Sequence, residues 1–388
     1  MKKKLVILLT SLLLLTLFTA CGGNSSSTSD KNAVSSATSG SNVDDESDSS
    51  VKNDSDNEKT QIYVFIKNRG DLNLWDSIAA GGDRAKVELA DRADVYVIEA
   101  PEITENLTAM YEAADAGADL IFSASDYADN MLEIALNYPD ITMVGFLVPQ
   151  IAGEAPNIYA IDFITAESSF LGGIAAADRA AQDGTDTIGF VGGMDESVAI
   201  QDFMVGYIQG AKYFNPNIDV KYTFVGGWND PDKAKTQAEA LYNDAGATVV
   251  FSCAGGSGIG VHDAAANTGK YVIGVEIDQS LMYADKPEIQ DRFLTSVVKN
   301  MADVVYNTFA EYLDTGTLSY GELSLLGIAD NNAVGITQNN LFEMYVSEEG
   351  KNIISKAQKD IADGTLKVWS ALDKEQEEIQ AKINELLK

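Results

Sequence analysis

Short apolar runs alternate with longer amphipathic stretches from about residue 61 to residue 313. The apolar runs, rich in Val, Ile and Phe, fall at 62–66, 95–98, 120–123, 141–147, 158–164, 188–191, 220–225, 249–251, 272–275 and 293–298. Between them the spacing predicts helices at 74–90, 103–116, 127–138, 166–181, 198–214, 232–245, 260–268 and 301–313. Strands buried on both faces read as continuous apolar runs, and their alternation with helices predicts βαβ units in mainly parallel, doubly wound sheets. The charged stretch 356–388 reads as helix broken at Gly364.

Ten residues of this pattern occur twice, 129 positions apart. Asp115-Ala116-Gly117-Ala118-Asp119-Leu120-Ile121-Phe122-Ser123-Ala124 returns as Asp244-Ala245-Gly246-Ala247-Thr248-Val249-Val250-Phe251-Ser252-Cys253, with six identities. Each copy reads as a helix end, a Gly in the left-handed cap and a short buried strand. The match suggests two lobes of one design, and two α/β lobes whose strand ends face each other enclose a cleft. A chance match of common residues is the alternative.

The N-terminus has a different pattern. Lys2-Lys3-Lys4 precedes an apolar run of 14 residues at 5–18, short for a membrane span but suited to an export signal. Leu17-Phe18-Thr19-Ala20-Cys21 resembles a bacterial lipobox, so residues 1–20 are expected to be a lipoprotein signal peptide and Cys21 the lipidated residue; an ordinary signal peptide ending near a Cys is the alternative. Residues 21–60 are Ser-, Asp-, Asn- and Lys-rich and read as a flexible tether. If Cys21 carries lipid, Cys253 stands alone, no disulfide forms, and Cys253 reads as a small core residue.

The formal charge of −32 argues against nucleic acid, which needs clustered Lys and Arg. Catalytic signatures are missing too. The chain has one His, His262, which reads as a surface or cap residue, and it lacks a Gly-x-Ser-x-Gly elbow, a His-Glu-x-x-His pair, Cys pairs at zinc spacing and a Walker loop. No catalytic residue, metal or cofactor is expected. The Gly255-Gly256-Ser257-Gly258 stretch follows a strand and opens a helix; it suits either ligand approach by backbone N–H groups or a tight turn. Its counterpart Ser125-Asp126-Tyr127 is a candidate cleft lining, with Asp126 alternatively a helix N-cap.

Several stretches taken together resemble the basic membrane protein, or PnrA-like, lipoproteins. They are Asn157-Ile158-Tyr159-Ala160-Ile161-Asp162-Phe163, Glu167 to Gly173, Ile188 to Gly193, Phe203 to Tyr207, Gly226-Gly227-Trp228-Asn229-Asp230-Pro231, Gly274 to Gln279 and Leu294 to Asn300, in the family's order within residues 61–315. The resemblance implies an α/β, type I periplasmic-binding-protein-like fold, with two doubly wound parallel-sheet lobes joined by a three-crossing hinge near residues 163, 299 and 319. Lobe 1 would hold 61–162 and 299–318, and lobe 2 would hold 163–298 and 319–388. It further implies an extracytoplasmic protein, attached to the membrane through its lipid alone, that delivers a nucleoside to an ABC permease and its ATPase.

Carried over by position, Trp228 would stack on the base, Glu276 would accept from ribose hydroxyls, and Lys299 would reach the sugar and pair with Glu276. In Gly70-Asp71-Leu72-Asn73-Leu74-Trp75 the polar residues Asp71 and Asn73 would face the ligand, and Trp75 would supply a second stacking ring where the family has Phe at the position of Leu74. Ser125, Asp126, Gly255 and Gly256 complete the expected site. Residues 145–148 carry no acid where the family reads the base with Asp, which leaves a pyrimidine nucleoside, a modified base or another polyol-bearing ring open beside a purine nucleoside. A monomer is expected. A ligand-sensing lipoprotein that docks onto a signalling partner and an exported nucleoside hydrolase are the competing functional classes.

Overall fold

The computed structural model describes residues 59–70 and 73–388. The signal segment, Cys21, the tether up to residue 58 and Asp71 lie outside the described residues. In chain order the strands are β1 (Thr60–Ile66), β2 (Ala93–Glu99), β3 (Leu120–Ala124), β4 (Thr142–Phe146), β5 (Ile158–Phe163), β6 (Thr187–Gly192), β7 (Asp219–Phe224), β8 (Val249–Cys253), β9 (Tyr271–Glu276), β10 (Phe293–Lys299), β11 (Leu323–Leu326) and β12 (Val334–Ile336). The helices are α1 (Leu74–Glu88), α2 (Ile103–Asp115), α3 (Ala128–Asn137), α4 (Thr165–Gln182), α5 (Val198–Phe214), α6 (Pro231–Asn243), α7 (Gly258–Thr268), α8 (Pro287–Gln290), α9 (Met301–Thr315), α10 (Asn340–Tyr345), α11 (Glu348–Ala362) and α12 (Gln376–Leu386).

The strands form two six-stranded sheets, ordered β11-β5-β4-β3-β1-β2 and β12-β10-β9-β8-β6-β7. Position for position the orders agree, so the repeated segment supplies β3 and β8 at the same place in the two lobes. Gly117 and Gly246, the repeat's cap glycines, both have left-handed backbones (φ 89° and 78°). All pairings are parallel except β10 with β12. Every residue of β3, β4 and β8 is buried, as strands covered by helices on both faces must be. Edge-on phenylalanines fill each lobe: Phe122 against Phe146 and Phe146 against Phe163 in the first, Phe190 against Phe251 and Phe251 against Phe203 in the second, with centroids 4.8–6.0 Å apart.

The chain crosses between lobes three times, after β5, after β10 and after β11. The third crossing corrects the expected boundary: Leu323–Leu326 pairs with Ala160–Phe163 of β5, so lobe 1 keeps the chain to residue 326 rather than 318. The three crossings are laced together. Ile164 N–H donates to the Leu326 carbonyl at 2.9 Å, and Asn300 N–H donates to the Ala333 carbonyl at 2.8 Å. Ile328 N–H donates to Glu167 Oε2 at 2.7 Å, which fastens the first turn of α4 to the third crossing.

Helices α4 and α5 pack backbone to backbone. A Cβ on Gly173 would collide with the Tyr207 carbonyl, one on Gly206 with the Ala166 carbonyl, and one on Gly210 with the Phe170 carbonyl. The tail differs from the expected helix broken at one glycine: α11 begins at Glu348, and residues 363–375 run as non-helical chain before α12.

Candidate functional site

The C-terminal ends of the two sheets face a cavity of about 580 Å³, lined from both lobes and from the crossings. That is the place where open α/β sheets bind ligands, and the size lies within the range for small-molecule sites. Of the residues singled out in the sequence, Asn73, Ser125, Trp228, Gly255, Glu276 and Lys299 line it.

Trp228 sits at its edge, 43% exposed. The loop that carries it rests on glycines: a Cβ on Gly193 would strike the indole, and one on Gly255 would touch it at 3.3 Å. Ser257 fixes the loop, donating its N–H to the Trp228 carbonyl at 2.8 Å and its hydroxyl to the Gly227 carbonyl at 3.1 Å. The glycine-rich turn at 255–258 thus buttresses Trp228, and Gly256, packed beneath the Trp228 carbonyl and Asn229, does not itself line the cavity.

At the second crossing Lys299 Nζ donates to Glu276 Oε1 at 3.1 Å, with both side chains largely buried. The ammonium also lies 5.8 Å from the Phe163 ring and 5.5 Å from Phe203. Asp162, on β5, is a second carboxylate on the wall. Its Oδ1 accepts the Phe163 N–H at 2.8 Å. Burial pushes its carboxyl above the usual range, Lys299 and the Phe163 N–H oppose that rise, and Asp202 and Glu276 add to it. Glu276 thus pairs with the ammonium directly, while Asp162 feels it only through its field.

Other placements differ from expectation. Trp75 does not face the cavity: it is 5% exposed, packed into lobe 1 with its ring 5.6 Å from Tyr127, and the preceding Leu74 takes the place on the wall. One residue of helical rotation, about 100°, separates the two positions. Asp126 is exposed; it pairs with Lys67 at 2.9 Å and neither lines the cavity nor caps α3, whose N-cap is Tyr127. His262 is buried, not a surface or cap residue. Its Nδ1 lies 2.9 Å from the Tyr283 hydroxyl, its ring packs against Phe293, and burial lowers its pKa to about 3. Cys253 lines the cavity, but burial pushes its thiol well up, away from the reactive thiolate. Among the described residues no cluster of His, Cys, Asp and Glu is arranged to hold a metal ion, and no helix is long and apolar enough to cross a membrane.

Sequence reasoning missed Asp162, Phe163 and Phe203 as wall residues, although all three lie inside the family-like stretches. It also missed Leu147, Gln150, Gln279 and Leu372. Nothing local marks Gln150 or Leu372; only the folded chain brings them to the cavity.

The chain matches, over residues 26–366, the family described as ABC transporter substrate-binding protein PnrA-like. It is 35% identical to basic membrane protein D of Borreliella burgdorferi over 55% of this chain and 59% of that protein. It is 30% identical to a Lactococcus lactis protein named ABC transporter nucleoside-binding protein BmpA, over 77% of this chain and 84% of that one. The chain spans under two thirds of the length of the Borreliella burgdorferi basic membrane proteins D and B, at 59% and 56%. In fold it resembles an ABC transporter solute-binding protein of Aeropyrum pernix, with a TM-score of 0.65 at 22% identity over 84% of this chain and 97% of that one. The family is one of solute-binding proteins, not enzymes. The chain belongs to the PnrA-like family of ABC transporter substrate-binding proteins.

Proposed function

We propose that this protein captures a nucleoside between its lobes on the outer face of the cytoplasmic membrane, held there by lipid on Cys21, and passes it unchanged to an ABC permease and its ATPase. The observation that carries the reading is the shared cavity, lined both by the Trp228 indole and by the Lys299–Glu276 pair at the second crossing. A flat heterocycle stacks on Trp228, and ribose hydroxyls donate to Glu276 and Asp162 and accept from Lys299. The relative named as a nucleoside-binding protein, aligned over most of both chains, supports the same ligand class. Closure about the three crossings then buries the ligand and presents the closed form to the permease. The N-terminal Lys run, apolar stretch and lipobox-like residues before Cys21 support export and anchoring.

Calorimetric titration of the purified protein with nucleosides, free bases, ribose, other sugars and amino acids tests this. Nucleosides binding at least tenfold tighter than free base or ribose is the expected result. Binding of sugars or amino acids alone, or recovery of free base after incubation with a nucleoside, overturns it.

A further inference from the structure

One residue lining the cavity comes from chain beyond the stretch that matches the family. The match ends at residue 366, whereas Leu372 lines the cavity with Ile200 and Phe203 of α5. The non-helical segment that carries Leu372 is not loosely laid. Gln209 grips Trp369 at both backbone groups, accepting its N–H at 2.9 Å and donating to its carbonyl at 2.8 Å. The Ser370 hydroxyl and the Ala371 N–H donate to Asp202 Oδ1 at 2.6 and 2.7 Å, and Ala371 is fully buried. Beyond it, the side-chain amides of Gln201 and Gln376 exchange hydrogen bonds at 2.8 and 3.0 Å.

Asp202 is itself fully buried and faces two ways. Its Oδ2 accepts from the Thr165 hydroxyl at 2.7 Å and from Ala166 N–H at 2.8 Å, in the first turn of α4, and Thr165 also lines the cavity. Four donors on one dehydrated carboxylate hold the tail segment in register with the helix that leaves the first crossing. A strap whose polar backbone groups are met by protein rather than water presents its side chain at a fixed height.

We infer that residues 369–372 form a specificity-determining strap of the ligand cavity, with Leu372 setting the room left for the uncharged ring of the ligand and Asp202 acting as a positioning residue behind it. The inference rests on the nucleoside reading. Apolar contact discriminates ring size modestly, by about 10- to 200-fold per methylene-sized change in fit.

The test uses the full protein, wild type and with Leu372→Ala or Leu372→Trp, titrated with guanosine and with uridine. The ratio of the two affinities is expected to move at least fivefold, toward guanosine in Leu372→Ala and toward uridine in Leu372→Trp. A merely structural role would lower the unliganded melting temperature and leave the ratio alone. Should Leu372→Trp fail to fold, Leu372→Ala and Leu372→Met carry the comparison. A wild-type protein that binds both nucleosides, with variants that keep its ratio, overturns the strap. A wild-type protein that binds neither overturns the nucleoside reading, and the strap's role with it.

Discussion

Leu147 and Glu276 are equivalent residues of the two lobes. They stand 129 positions apart, the spacing of the repeated segment, at the ends of β4 and β9. Both have left-handed backbones, φ 58° and 71°, a conformation unusual for residues with a Cβ, and both line the cavity. The same backbone turn therefore delivers an apolar side chain from one lobe and a carboxylate from the other. At the second lobe's end of this pair, Glu276 meets Lys299.

Lys299→Met removes the ammonium that pairs with Glu276 and offsets the charge of Asp162. Denaturant unfolding at pH 7.5 is expected to show a loss of about 1–3 kcal/mol, below the usual cost of breaking a fully buried pair because Glu276 keeps some solvent contact. Asp162 already has a raised pKa, so without the ammonium its carboxyl binds protons more readily in the folded state and the deficit should shrink as pH falls. A deficit that does not change with pH would show that the pair contributes no charge compensation.

Trp228→Ala is expected to weaken nucleoside binding by about 1–3 kcal/mol, the range for an aromatic stack on a base. The unliganded melting temperature should fall only modestly, since the residue is 43% exposed. Calorimetry on the variant decides: unchanged affinity takes the indole out of the site.

A nucleoside 5′-monophosphate should bind at least 100-fold more weakly than its nucleoside. Among the described residues the cavity is lined by Asp162 and Glu276 against Lys299 alone, and a phosphate would add charge of the same sign in a low-dielectric setting. Competition between the two ligands at 0.15 M salt measures this, and equal affinity contradicts it.

His262 makes the fold acid-sensitive. Its pKa falls from 6.5 unfolded to about 3 folded, so its neutral form is the one the native state holds. Stability from this group is full above the unfolded value and drains as pH falls from about 6.5 toward 3, by on the order of 2–3 kcal/mol at pH 4.5. His262→Gln should flatten the wild-type loss between pH 7 and 4.5 by that amount in urea titrations.

Gly210→Ala should destabilise the second lobe by about 2 kcal/mol or more, because the new methyl meets the Phe170 carbonyl. In an unpacked helix the same change would stabilise by about 1 kcal/mol. Unfolding midpoints separate the two outcomes by sign.

Much of the fold was legible in the sequence because parallel strands buried on both faces leave unbroken apolar runs, as in β3, β4 and β8. The two strands that escaped notice are β11, of four half-buried residues, and β12, of three residues, two of them buried. Neither is long enough to show a period, and their places are set by partners more than 30 residues away in sequence. In the site, Trp228, Glu276 and Lys299 were legible because they sit in family-like stretches at strand ends. Trp75 was misread because sequence does not say which of two neighbouring helical positions turns outward. Leu372 and Gln150 reach the wall by tertiary placement alone, and His262 could not be told from a surface residue without knowing that Tyr283 and Phe293 close over it.

The glycine-lined seam between α4 and α5 has a mechanical consequence. Two rods that touch at their main chains cannot slide or roll past each other without steric collision, so they transmit torque as one solid part. One of those rods is pinned at its head by Glu167 to Ile328. A displacement of the third crossing would therefore pull on α4, and through the seam on α5, as a single piece.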